Sequence, residues 1–150
     1  MTLRRISVFF VFLLALSQIM GCASMRAASA ERQARDRAVR AYLHTAPKET
    51  LMASARKILF EQGFEVNDST DSSLQTAWII DGRGESRYLV TLTPINGKHR
   101  VEMTQNHVSE QNDRETIRDY VMEYELIKRV APRDAAAIDA EARAAGQAAR

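Results

Sequence analysis

The chain has a single cysteine, Cys22, which excludes an internal disulfide as a source of stability. It also lacks an excess of charge of one sign. Its 21 basic residues face 19 acidic ones, and two of the basic residues, Arg4 and Arg5, lie before Cys22 in a segment without an acid, so the chain from Cys22 onward balances at 19 and 19. Proteins that grip phosphate backbones concentrate Lys and Arg on one face, because counterion release supplies most of their affinity. Nothing in this composition supports nucleic-acid binding. There is no long hydrophobic run: the apolar stretch from Ile6 to Met20 spans about 22 Å as a helix, short of the ~30 Å hydrocarbon layer. HExxH, GxSxG and any close His/carboxylate cluster are missing as well. The chain is long enough for one core and too short for two.

At the start a basic head, Met1 to Arg5, precedes the apolar run, which is interrupted mainly by Ser7, Ser17 and Gln18 and ends at Gly21-Cys22. This is the layout of a secretory signal peptide. The junction Ile19-Met20-Gly21-Cys22 resembles the lipobox of bacterial lipoproteins, with an aliphatic residue three before the cysteine and a small one directly before it. The resemblance implies cleavage between Gly21 and Cys22 and acylation of Cys22 with three chains, such as palmitate, where a single chain holds a protein only marginally. An ordinary cleaved signal with an incidental cysteine and an uncleaved anchor are the alternatives. Ala23-Ser24 lacks the aspartate that marks inner-membrane retention in enteric lipoproteins, which points to the outer membrane, with the protein facing the periplasm.

Residues 23–38 are rich in Ala and charge, without Pro or aromatics, and offer no apolar stripe. They read as a tether that spans about 20 to 24 Å if flexible, with a helical version of similar length. Val39, Ala41 and Leu43 then alternate with polar neighbours as a short first strand. Thr45 and Pro47 signal a helix start, and Leu51, Ala55, Ile58 and Leu59 form an amphipathic stripe that ends at Gly63. Phe64 and Val66 begin a strand. Leu74, Thr76, Trp78 and Ile80 form one alternating row, closed by the turn residues Asp81 to Gly84. Tyr88, Val90 and Leu92 lead to Asn96-Gly97, a strong two-residue hairpin signal.

Pairing Ile95 with Lys98 places Leu92 opposite Val101, Val90 opposite Met103 and Tyr88 opposite Gln105, with Thr91 facing Glu102 and Thr93 facing Arg100 on the other side. One face is apolar and the other polar, as in an antiparallel sheet covered on one side. Asn112 and Glu115 read as a capping box opening a helix with Ile117, Val121 and Tyr124 on one side. After Pro132 an alanine-rich helix follows, either on the surface or against a partner helix. The expected fold class is α+β, an antiparallel four- to five-stranded sheet with helices on one face. The expected domains are a signal peptide (1–21), acylated cysteine and tether (22–38), α+β domain (39–131) and C-terminal helix (132–150).

The segments Ala41-Tyr42-Leu43-His44, Lys48-Glu49-Thr50-Leu51, Leu59 through Val66 and Leu74-Gln75-Thr76-Ala77-Trp78 together resemble a helix-grip repeat of the BamC family. Those lipoproteins are accessories of the outer-membrane-protein assembly machine. The likeness covers residues 39–107 and implies a helix-grip fold and an envelope protein partner. The family carries two such repeats after a long unstructured segment; this chain carries one, followed by a further helix.

The candidate sites follow. His99 and His107 share a strand face but lie about 26 Å apart at ~3.3 Å per residue, so they cannot share a metal; all three histidines, His44 included, read as solvated or edge residues. Glu123 and Glu125 point to different helix faces. Ser86 and Ser109 lack the setting of a nucleophile, and Gly82 and Gly84 belong to a strand connection rather than a phosphate loop. Trp78 shares its row with Leu74 and Ile80, which favours the core; exposed, it would anchor a partner. The reading is a non-catalytic, membrane-tethered binding or accessory module with no cofactor and no metal, alongside a second reading as a carrier of a lipid or apolar ligand between helix and sheet.

Overall fold

The computed structural model describes residues 23–82 and 84–150; the signal segment, Gly21 and Cys22 lie outside them. Four helices and six strands are present among the described residues, in the order α1 (residues 23–41), α2 (Lys48–Glu61), β1 (Val66–Ser69), β2 (Ser73–Thr76), β3 (Ile79–Asp81), β4 (Gly84–Ile95), β5 (Lys98–Ser109), β6 (Arg114–Arg118), α3 (Tyr120–Val130) and α4 (Pro132–Ala148). The fold is α+β, as expected, with six strands rather than four or five. Contacts divide the described chain into two compact units, residues 38–137 and residues 23–37 with 138–150.

The larger unit is built on an antiparallel sheet ordered β1-β2-β4-β5-β6, with β3 paired to the start of β4. Its longest pairing, β4 with β5, has the register set by Asn96-Gly97: Leu92 faces Val101, Val90 faces Met103 and Tyr88 faces Gln105. Both turn residues have positive φ, 50° and 76°, which the two-residue turn requires. At the opposite end of this hairpin Gly84 adopts φ +133°, and a Cβ there would lie 2.1 Å from the Val108 carbonyl oxygen, so only glycine fits.

Helix α2 starts one residue after Pro47, and no side chain caps it. It ends in a paired motif in which Phe64 N–H donates to Leu59 O and Gly63 N–H to Phe60 O, with Gly63 at φ +85°. The turn aims Phe64 at the core, where its ring meets Tyr88 edge-on at 4.7 Å. Leu51, Ala55, Ile58 and Leu59 from α2, Met122 and Leu126 from α3, and Leu74, Val90, Leu92, Val101 and Met103 from the sheet form one buried cluster. This packing takes both helices to one face.

Two expectations are corrected. Residues 39–43 are not a strand: α1 continues to Ala41, and only His44 pairs with the sheet, by a single bridge to His99. Asn112 does not open a helix; at φ 63° it shapes the turn before β6, and α3 starts later, capped by Asp119, whose carboxylate accepts from Val121 N–H and Met122 N–H at 3.0 Å each. Asn serves turns as readily as caps, so the helix's buried stripe is Met122, Glu123, Leu126 and Ile127 rather than Ile117, Val121 and Tyr124. Residues 23–38 take the helical of the two forms expected for them, and where no apolar stripe was read their contact surface is alanine. In the smaller unit Ala27, Ala34, Ile138 and Ala142 are buried, and a Cβ on Gly146 would lie 3.0 Å from the Ala27 carbonyl oxygen. Arg35 joins the two segments by donating to Asp139 at 3.1 Å. The partner helix for the alanine-rich C-terminus is thus in the same chain.

Two adjacent residues separate the faces of α2. Leu59 is fully buried and Phe60 is 76% exposed. Leu59→Ala is expected to cost about 2–5 kcal/mol of unfolding free energy and Phe60→Ala less than about 0.5 kcal/mol, measured by urea denaturation.

Candidate functional site

The second face of the sheet carries neither α2 nor α3. Its residues, mostly polar, alternate with the core positions: Glu85, Arg87, Leu89, Thr91 and Thr93 on β4, Arg100, Glu102, Thr104, Asn106 and Val108 on β5, and Arg114, Thr116 and Arg118 on β6. At one end a cleft of about 510 Å³ is lined by Trp78, Glu85, Arg87, Asn106, Asn112, Arg114 and Thr116, among others. The Arg87 guanidinium stacks on the Trp78 ring, 4.6 Å from its centroid, a geometry in which the ring's negative face attracts the cation.

Trp78 is not in the core. It is 40% exposed and Ile80 76%, because the row Leu74-Thr76-Trp78-Ile80 is broken. Leu74 and Thr76 lie on the buried face of β2, then Ala77-Trp78 leaves the ladder, and β3 resumes with Ile79 opposite Ser86 and Ile80 opposite Glu85. One skipped register position moves the following side chains to the other face. The break is sealed by two hydrogen bonds: the buried Thr76 hydroxyl accepts from Tyr88 N–H at 2.9 Å, and Ala77 N–H donates to Glu65 O at 2.8 Å. Periodicity alone favours the core, and the one-residue offset between the β2 and β3 registers on β4 is what it does not carry.

Beyond β6 a buried carboxylate joins α3 to the sheet. Glu123 is 2% exposed and accepts from Met103 N–H at 2.9 Å and from Arg118 at 2.8 and 3.0 Å. Arg118 also donates to Glu102 at 2.7 Å. Burial pushes the Glu123 carboxyl up, and the bonds from Arg118 and Met103 oppose it. Glu125 lies elsewhere on the helix, beside Lys128, so the two glutamates diverge as expected.

His44 is the misjudged histidine: it is 4% exposed, not solvated. Its backbone exchanges hydrogen bonds with His99 at 2.8 and 2.9 Å, and its ring meets Tyr42 edge-on at 4.8 Å. The Tyr42 hydroxyl donates to Asp134 at 2.5 Å. Nδ1 of both His44 and His99 is buried without a partner among the described residues. Burial, aided by repulsion from His99 and opposed by Asp134, pushes His44 down to about 4. Ser86 is buried at 7% exposure, the Ser109 hydroxyl accepts from Asp113 N–H, and Asp81 pairs with Gly84 across the expected tight connection. The described residues contain no group of three or more metal-ligating side chains and no helix long and apolar enough to cross a membrane.

The space between α2, α3 and the sheet is filled by Leu51, Leu59, Leu74, Val90, Met103 and Leu126, each at most 1% exposed. The second face, by contrast, carries an exposed aromatic, a guanidinium over its ring, amides and hydroxyls around an open cleft. The chain matches no protein-family model, no curated protein and no solved structure in the comparisons made.

Two outcomes follow from this geometry. Thr76→Val keeps the shape but leaves the Tyr88 N–H buried without its acceptor, at an expected cost of about 1–3 kcal/mol by chemical denaturation, with a change in Trp78 fluorescence. A neutral buried His44 stabilises the fold fully above its ordinary value near 6.5, and this contribution is lost as pH falls toward about 4. Between pH 7 and 5 the parent is expected to lose about 2 kcal/mol more than His44→Asn, read from urea midpoints at each pH.

Proposed function

We propose that the chain is a lipid-anchored lipoprotein of the bacterial outer membrane that works as a non-catalytic binding module for an envelope protein partner, in the manner of the BamC family it resembles. The lipobox-like Ile19-Met20-Gly21-Cys22 supports the anchor. The observation that carries the binding role is the position of Trp78, lifted out of the core by the break after Thr76 and stacked on Arg87 at the rim of an open cleft. Aromatic and arginine side chains at the centre of a patch supply a disproportionate share of protein–protein binding energy. A single-domain module close to the bilayer presents that patch to partners held at the same surface.

The reading predicts two separable losses. Cys22→Ser abolishes incorporation of labelled fatty acid and releases the protein from the membrane fraction. Trp78→Ala leaves labelling and fractionation intact but reduces recovery of a stoichiometric envelope partner from detergent extracts by about tenfold or more, whereas Phe60→Ala does not. Incorporation that persists without Cys22, or equal recovery by the Trp78 variant, overturns it.

A further inference from the structure

Several charges on the second sheet face are not ion-paired among the described residues. Glu102 accepts from Arg118 at 2.7 Å and shares that cation with Glu123. Arg87, Arg100 and Arg114 have no ion pair among the described residues, although Glu85 and Glu115 line the same cleft as Arg87 and Arg114. Two of these arginines have an unmet donor in addition: Nε of Arg87 and Nε of Arg100 are both buried and lack an acceptor. Neither guanidinium charge is paired with a carboxylate among the described residues, and a carboxylate brought by a partner would meet it with charge-assisted hydrogen bonds. Arg87 pairs in register with Asn106 and Arg100 with Thr93, so they sit six residues apart along the ladder, about 20 Å at ~3.3 Å per residue. Leu89, Thr91, Thr104 and Glu102, the last held by Arg118, lie between them.

We infer that this face docks an extended acidic segment of the protein partner, with carboxylates about six residues apart engaging Arg87 and Arg100 and one side of the segment lying against Trp78. The inference rests on the binding-module reading and supplies its chemistry. An extended chain advances at the same ~3.3 Å per residue as the strands beneath it, so first and seventh positions match the two guanidinium groups. Stacking on Trp78 holds the Arg87 fork in one plane, which suits two-point capture of a carboxylate.

Trp78 is the only tryptophan, so its fluorescence reports on this face without labelling. The full chain in detergent micelles is titrated with a capped heptapeptide bearing glutamates at its first and seventh positions and threonines between, followed by fluorescence and, independently, by calorimetry. The expected result is saturable binding that weakens with added salt and falls about tenfold in Arg87→Gln and in Arg100→Gln, with Arg133→Gln unchanged. A version with its glutamates adjacent should bind several-fold more weakly. Equal binding of a lysine-substituted peptide, undiminished binding by both arginine variants, or saturation by acetate at the same concentration overturns the inference. Failure of the peptide while Trp78→Ala still loses its partner removes the acidic contact alone and leaves the module reading standing.

Discussion

The long antiparallel ladder between β4 and β5 is the constraint on which the larger unit depends. Twelve paired positions run from Gly84 opposite Ser109 to Ile95 opposite Lys98, and every other strand except β1 attaches directly to one of these two. The ladder decides which side chains meet the helices, because a shift of one residue would exchange Val90, Leu92, Val101 and Met103 for Leu89, Thr91, Arg100 and Glu102. Two glycines fix its ends by different means. Gly97 supplies a positive φ for the turn, and Gly84 allows the Val108 carbonyl to approach where no Cβ fits.

Much of this was legible because its signals are local. Asn-Gly determines a turn type, and the turn determines a register that alternation on both flanks confirms. The α2 stripe and its terminal Gly63 are likewise carried by adjacent residues. What was not legible depends on distant partners. Alanine has little apolar area, so Ala27 and Ala34 look like tether until a second helix, with Ala142 and Gly146, comes close enough for backbones to touch. Asn112 and Glu115 have the spacing of a capping box, yet Asn in a left-handed conformation serves a hairpin equally well, and β5 was waiting for a partner strand.

The buried polar groups show how the sheet edges are reconciled with the helices. β6 ends at Arg118, and beyond it the Met103 N–H would have no strand to donate to. Glu123 accepts that bond from α3, and Arg118, the last residue of the strand, returns to neutralise it. Removing one member of such a set leaves an uncompensated charge, which costs far more than the pair contributes. A helix that reads as merely amphipathic thus has its position fixed by a carboxylate, and the periodicity of apolar residues could not have revealed it.

The site arises from the same kind of compromise at the other end of the sheet. A continuous strand from Leu74 to Ile80 would bury Trp78 and leave the second face without a large aromatic. Interrupting it at Ala77 exposes backbone groups that must be satisfied, and the Thr76 hydroxyl and the Glu65 carbonyl satisfy them. The short β3 then re-enters with inverted parity, placing Ile80 beside Glu85, while Trp78 reaches Arg87 from the gap. Indole and guanidinium each carry a desolvation cost when partly buried, and stacking one on the other lowers it without using the cation's in-plane donors. One of those donors, Nε, is buried and without an acceptor among the described residues.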